Sequence, residues 1–305
     1  MNARRGIPLA VGAGILFGVS APLAKLLVVN MDPVALAGCL YLGAFVAVTL
    51  GRALGVSRGL ESERLSRRDA PLVVTMVLVG GVVAPVLLMF GVREASGFTA
   101  SLLLNLEGVT TALIAWMFFR ERVTGRVWGA VVLMTATGIL LTGVTRGGTS
   151  DIRGPLLILA AAVGWGVDNN VSAKLSRHDP LVLVSIKGLG AGLFSLGLSW
   201  ALQGTLPPLE SLLPALALGS VSYGCSLVLF ILSLKTMGAA RTGAFFAVGP
   251  LAGALVSVAI FQEPVSWVMA LALVLVLASI VLVTGENLAG VRSRPRTHTS
   301  VTLNH

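Results

Sequence analysis

Charge is the scarcest commodity in this chain. Of its 305 residues only 11% are Asp, Glu, Lys or Arg, against 55% hydrophobic, and the mean hydropathy is +0.92. That is too little charge to coat a soluble domain, for which about 25% is usual. Cysteine and histidine are nearly missing as well. The two cysteines, Cys39 and Cys225, both lie inside apolar runs and are read as packing residues, with no disulfide framework. The three histidines, His178, His298 and His305, all fall outside those runs, so no metal-ligand spacing arises and neither a metal nor a cofactor is expected. The small acidic complement leaves a net charge of +9, but no RNA- or DNA-binding motif accompanies it, and a nucleic-acid partner is not expected.

What the chain has in abundance is long apolar runs. Ten of them, each of about 20 residues, occupy roughly 7–29, 34–51, 71–90, 98–119, 127–144, 155–173, 181–202, 213–234, 241–261 and 266–284. The first, preceded by Arg4-Arg5 and followed by Val19-Ser20-Ala21, has the spelling of a secretion signal. Pro22 would follow the cut directly, however, and the second half of the chain keeps an equivalent helix, so the run reads as a retained span.

The two halves of the chain match each other. Gly97–Val123 lies on Ala239–Val265 at a constant offset of about 142, placing Glu121 on Glu263 and Phe119 on Phe261. Nearer the starts Phe17-Gly18 pairs with Trp165-Gly166, Lys25 with Lys174 and Asp32-Pro33 with Asp179-Pro180, the drift being absorbed by a longer loop near Glu61–Arg68. Each unit holds five runs. An odd number inverts the second copy relative to the first, a layout of secondary transporters. The expected fold is therefore an all-α membrane protein of ten transmembrane helices forming two inverted five-helix repeats, 7–144 and 155–284, with a basic cytoplasmic tail at 285–305.

Basic residues set the orientation. With the N-terminus inside, seventeen of the 22 Lys and Arg fall in cytoplasmic segments, and only Arg93, Arg146 and Arg153 lie outside. This positive-inside pattern places both termini in the cytoplasm of a multi-pass protein of the plasma (inner) membrane, in contact with membrane lipids.

Ionisable residues inside the spans are costly and call for a partner, a cavity or a role. Glu107 lies about ten residues into the fourth span, roughly 15 Å deep and near the midplane, where transporters bind substrate. Its plain reading is a buried neutral acid hydrogen-bonded to Thr111, and its functional reading is a proton-titrating site. Asp168 in the sixth span and Lys187 in the seventh are each about 10 Å from the cytoplasmic face, so an ion pair between these consecutive helices is plausible. That pair is either structural or a substrate contact. Asn169 and Asn170 follow Asp168, and Trp165 lies one turn before Asn169; three adjacent polar residues cover about 200° of helix, so at least one must bond to a neighbouring helix. Asn105 shares a helical face with Ser101 rather than Glu107. Tyr223, near the midplane of the eighth span, suits a binding wall or packing. Pro22, Pro85 and Pro250 should break or bend their spans, and Gly188, Gly190 and Gly192 allow close helix approach. Lys25 and Lys174 read as side chains snorkelling to the headgroups.

Phe17-Gly-x-x-x-Pro22-x-x-Lys25, Trp165-Gly166 through Lys174, and the Glu121 and Glu263 that close the fourth helix of each unit resemble the EamA-type repeats of the drug/metabolite transporter superfamily, over residues 7–284. The resemblance implies a secondary, alternating-access transporter, typically an exporter of a small metabolite, amino acid or drug. It also implies a central cavity lined by helices 1–4 and 6–9, with helices 5 and 10 at the periphery and linked to formation of a homodimer. Where many members carry a basic residue early in the second helix of each repeat, this chain has Lys187 in one unit and Leu40-Tyr41 in the other, so function is expected to concentrate in the second repeat. The translocation residues expected are thus Glu107, Asp168, Asn169, Asn170, Lys187, Tyr223, Asn105 and Trp165, with transport either facilitated or coupled to protons. The rival readings are a structural or receptor-like membrane protein and, further off, an intramembrane enzyme. The enzyme reading lacks paired aspartates, an activated nucleophile or a metal cluster at membrane depth, so no catalytic residue is expected.

Overall fold

A computed structural model describes residues 3–55, 63–119, 125–146, 152–237, 239–263 and 266–292. Glu121 and the tail beyond Arg292 lie outside the described residues. Among the described residues there are helices and no strand, only an isolated bridge between Glu63 and His178. Seven helical stretches among the described residues are long and apolar enough to cross a membrane: Gly6–Leu27, Pro33–Ala53, Arg67–Glu94, Gly97–Phe118, Arg153–Leu175, Pro180–Gln203 and Leu209–Met237. The other three expected runs correspond to shorter apolar helices, Trp128–Leu140, Gly249–Phe261 and Trp267–Leu282. The outer surface is apolar, with Val132, Ile139 and Leu255 all more than 60% exposed, a surface suited to lipid rather than water.

Several spans are broken, which gives fifteen α-helices among the described residues. The first unit holds α1 (Ala3–Gly18), α2 (Ser20–Leu27), α3 (Pro33–Ala53), α4 (Ala70–Thr75), α5 (Ala84–Glu94), α6 (Gly97–Leu103), α7 (Leu106–Phe119) and α8 (Gly125–Arg146). The second holds α9 (Arg153–Leu175), α10 (Pro180–Gln203), α11 (Leu209–Leu218), α12 (Ser226–Met237), α13 (Ala239–Phe246), α14 (Gly249–Phe261) and α15 (Trp267–Arg292). Between α4 and α5 the chain runs as a π-helix, Met76–Val83, and between α11 and α12 as another, Gly219–Cys225. All three expected prolines stand at such interruptions. Pro22 follows the break between α1 and α2, Pro85 follows the first π segment, and Pro250 opens α14. A proline has no N–H to give, so helices restart at it.

Many breaks repeat. The π segments fall about 142 residues apart, as do the α6–α7 and α13–α14 breaks. The Asp-Pro pairs start equivalent helices: Asp32 accepts hydrogen bonds from Val34 and Ala35 N–H at the start of α3, and Asp179 accepts from Leu181 N–H at the start of α10, with proline at the first helical position each time. One break has no counterpart: α1 and α2 are separate, whereas α9 runs straight through.

Two clusters tie the units together at opposite ends of the Arg67–Glu94 stretch. At one end Arg177 and His178, between α9 and α10, meet the chain leading into α4. Arg177 bonds Asp69 at 2.7 Å and Glu63 at 3.2 Å, His178 Nδ1 lies 3.1 Å from the Glu63 carbonyl, and Asp69 accepts from Ser66 N–H and Oγ. At the other end Lys25 Nζ donates to the carbonyls of Val92, at 3.1 Å, and Ala95. This corrects the snorkelling expected of Lys25, because the end of α5 leaves carbonyls without an in-helix donor and a nearby ammonium satisfies them. Its counterpart Lys174 is exposed. Beside Lys25, Glu263 accepts from Gly97 N–H at 3.0 Å and Phe98 N–H at 3.3 Å, capping the first turn of α6 from the other repeat. Gln262, in the left-handed region at φ 50°, turns the chain back so that Glu263 can reach it.

Glycine sets the closest crossing. A side chain at Gly249 would collide with the Gly14 carbonyl, one at Gly18 with the Gly249 carbonyl, and one at Gly253 with the Gly18 carbonyl. Helices α1 and α14 thus touch backbone to backbone through paired G-x-x-x-G stretches. The expected contact of Gly188 and Gly192 also forms, against Tyr41 and Leu42 of α3. Of the cysteines, Cys39 is buried and Cys225 exposed, so only Cys39 packs. Gly249→Val should force α1 and α14 apart at a cost of about 1–3 kcal/mol. A lowered melting temperature of the purified protein in detergent is the expected result, and an unchanged one would show that the crossing tolerates a side chain.

Candidate functional site

The breaks gather polar groups at the centre of the bundle. In the first π segment the Gly80 carbonyl accepts from Tyr41 Oη at 2.7 Å and from Trp165 Nε1 at 3.0 Å. A π-turn shifts the hydrogen-bond register and leaves a carbonyl for outside donors, which is how such turns come to mark functional sites. A side chain at Gly80 would fall on the Asp168 carboxyl group, so this glycine is what lets Asp168 approach.

Asp168 Oδ2 and Lys187 Nζ form an ion pair at 2.5 Å, both residues being only 3% exposed. Lys187 Nζ also sits 5.9 Å from the centre of the Tyr41 ring. The expected pair of consecutive helices is therefore present. Tyr41 stands close to the basic position's counterpart in the first repeat, so the two units contribute different chemistry at neighbouring points.

Glu107 is 6% exposed, and its Oε1 accepts from Asn169 Nδ2 at 2.8 Å. Asn169 Nδ2 also donates to Thr111 Oγ1 at 3.1 Å. Thr111 does lie beside Glu107 as expected, but its hydroxyl donates to the Glu107 backbone carbonyl at 2.7 Å and not to the carboxyl. A threonine inside a helix reaches the carbonyl one turn back more readily than a side chain on the same helix. Asn170 turns away from the cavity, donating to the carbonyls of Thr111 and Gly166, so it holds α7 to α9.

Asn105 departs from the expected face. The helix breaks at Leu104–Asn105, where Asn105, Glu107 and Gly108 bond three residues back, and this resets the helical phase. Asn105 and Glu107 consequently line one void together with Asn169, Phe17, Phe246 and Pro250, while Ser101 packs towards Gly253. An adjoining void is bordered by Glu107, Trp165, Asp168, Asn169, Lys187 and Tyr223, together with Phe17, Tyr41 and Phe246. Each accepts little more than a water molecule, so the described walls close in on the centre at these two voids.

The walls are aromatic. Phe17 meets Trp165 edge-on at 5.2 Å and Tyr223 at 5.5 Å, and Tyr223 meets Tyr41 at 5.2 Å. Several wall atoms are buried without a hydrogen-bond partner among the described residues: Asp168 Oδ1, Tyr223 Oη and both amide atoms of Asn105. Sequence reading missed Tyr41 and Phe17 as site residues. The chain has only two tyrosines, Tyr41 and Tyr223, both deep in apolar runs, and that scarcity was the available signal. No group of three or more His, Cys, Asp or Glu is placed to hold a metal among the described residues.

The model of the EamA-like transporter family matches residues 4–144 and 152–285, two adjacent copies that span most of the chain. The chain belongs to the EamA-like transporter family. It is similar to an uncharacterized transporter of Methanothermobacter thermautotrophicus, with 31% identity over 273 residues, covering 84% of this chain and 79% of that protein. A solved crystal structure shares its fold, with a TM-score of 0.70 and 21% identity over 92% of this chain and 98% of the other. The protein is accordingly a multi-pass membrane protein of a transporter family, for which a small-molecule substrate and a lipid surround follow. In this EamA-like chain, the crossing that carries Glu107 and Asn169 (α7 on α9) is the repeat counterpart of the glycine crossing (α14 on α1), with Glu107 standing where the other repeat has Gly249.

Removing one member of the buried pair leaves the other uncompensated. Lys187→Met is expected to destabilise the protein by about 3–5 kcal/mol, and Lys187→Met with Asp168→Leu to recover most of the loss. Thermal unfolding of both variants checks this; a double variant as unstable as the single one would show that Lys187 is held by something other than Asp168.

Proposed function

We propose that the protein is a secondary, alternating-access transporter that exports a small organic molecule across the plasma membrane in exchange for protons, and not an enzyme or a passive structural bundle. The observation that carries this reading is the closed central void, where Glu107, Asp168 and Lys187 from both repeats meet beside buried polar atoms that lack partners. A purely structural bundle gains nothing from such atoms, because each costs about 1–3 kcal/mol when desolvated without a partner. A binding site opened in turn to each side uses them on its guest.

Ten crossings, two inverted units at 7–144 and 155–284, and cytoplasmic termini complete the reading, supported by the repeat match and by the basic residues on one side. Helices α8 and α15 pack on each other away from the void, which leaves their outer faces for a second copy in a homodimer. Single cysteines at Asn30 and Arg64, in a background without Cys39 and Cys225, should react with an impermeant thiol reagent from opposite sides of the membrane. Labelling from the same side would overturn the topology.

Glu107 is assigned the coupling role. It has no basic residue in its own span, and its repeat counterpart is Gly249, so the fold itself does not require a carboxyl there. Glu107→Gln keeps the shape and the Asn169 hydrogen bond of the protonated acid but cannot titrate. In proteoliposomes this variant should lose accumulation driven by a pH difference and keep some downhill exchange. Undiminished pH-driven accumulation would remove Glu107 from the coupling role and pass it to Asp168.

A further inference from the structure

The net charge of the closed void constrains what it can carry. Glu107 and Asp168 are acidic and Lys187 is basic, so the three together sum to one negative charge when all are ionised. The other groups facing Glu107 do not alter that sum. Helix α9 adds Asn169 beside Asp168, α10 adds Lys187, α3 and the second π segment add the phenols of Tyr41 and Tyr223, and the described wall residues of α1, α13 and α14 bear no charge. An unbalanced charge surrounded by protein and lipid is expensive, whereas a balanced one is tolerated. Neutrality is available through a proton on one carboxyl or a guest with a single positive charge, and these exclude each other; because Asp168 is held by Lys187, the proton belongs on Glu107.

We infer that the substrate is an organic monocation, a protonated amine on an apolar ring-sized body, which displaces one proton from Glu107 as it binds. This rests on the transport reading above and narrows it to a substrate class. The wall fits such a guest. The Glu107 carboxyl faces both voids, Asn105 Oδ1 is a buried acceptor without a donor in the adjoining one, and Phe17, Tyr41, Trp165 and Tyr223 offer ring faces and edges to a cation and its apolar body. An anion is disfavoured, because Lys187 is already committed to Asp168 and a further negative charge would stay uncompensated. A zwitterion leaves the sum unchanged and has no reason to displace the proton. Loading requires the bundle to part, since the closed void holds little more than water.

The test uses four probes sharing one phenyl body and differing in charge: 2-phenylethylammonium, 2-phenylethanol, 3-phenylpropionate and zwitterionic phenylalanine. Each is titrated calorimetrically into the full-length protein in lipid nanodiscs, in two buffers of different ionisation enthalpy, so that proton release is counted. The ammonium should bind at least about tenfold more tightly than the alcohol and release close to one proton. Its affinity should fall by about tenfold per pH unit on acidification while Glu107 is protonated, as linkage requires for a one-for-one exchange. Glu107→Gln should abolish both the proton release and the pH dependence. The inference is overturned if the ammonium binds no better than the alcohol, if phenylalanine or phenylpropionate binds more tightly, if no proton is released, or if all four probes are silent at millimolar concentration. Uptake of phenylalanine or phenylpropionate into proteoliposomes without ammonium binding would sink the cation assignment and leave the transport reading intact. Proton-releasing ammonium binding with no movement of any probe would uphold the cation site and count against transport.

Discussion

A polar group surrounded by lipid-facing helices cannot fall back on water, and the centre of this molecule is arranged around that constraint. Asn169 spans the gap between α9 and α7, donating to the Glu107 carboxyl and the Thr111 hydroxyl, while Asn170 fastens the same two helices through backbone carbonyls. Thr110 adds a third tie, from its hydroxyl to the Ala162 carbonyl at 2.9 Å. These bonds bring α7 against α9 over the small Gly166, where any side chain would meet Thr110. Glu107 is thus held at the void by partners that remain satisfied whether or not it carries a proton, since an amide N–H can donate to either form of the acid.

The duplicated chain uses one crossing for two purposes. Between α1 and α14 the contact is glycine backbone on glycine backbone, which leaves no room for chemistry. Between α9 and α7 the same crossing is opened by side chains, and the carboxyl group occupies the position that Gly249 keeps bare. The difference in helix continuity follows the same division. Helix α9 runs unbroken through Asp168, Asn169 and Asn170, fixing three adjacent side chains in three directions, whereas the α1–α2 break falls where the first repeat has Ser20-Ala21-Pro22. Symmetry builds the scaffold, and its local failures place the polar groups.

How much of this could be read from the residues depended on whether the interaction was local in the chain. The pairing of Asp168 with Lys187 was legible because the two sit on consecutive helices and are the opposite charges available at that depth. The Asp-Pro helix starts and the proline breaks were legible because capping and the missing N–H act within a few residues. Glu107 and Asn169 were each legible as site residues, but their contact was not, since it depends on how two non-consecutive helices cross. Asn105 was placed on another face because helical phase was carried through Leu104–Asn105, and the turn there cancels it. Lys25 was assigned to headgroups because the carbonyls that receive it become available only once α5 has ended.

The ties at the two ends of the bundle bear on how it could open. The Lys25 and Glu263 contacts hold the turn between α5 and α6, and the Arg177 and His178 contacts hold the chain entering α4, so one stretch of helix is fastened to the second repeat or to α2 at each end. Between the fastenings lies the first π segment, whose Gly80 carbonyl is held by side chains from α3 and α9 rather than by a strict α-helical ladder. A segment of irregular register in the middle of an otherwise stiff rod concentrates bending there. A bend there falls directly against Asp168, so it is felt by the Asp168–Lys187 pair. Gly80 is thus the point where the irregular segment, its Tyr41 and Trp165 donors and the buried ion pair meet.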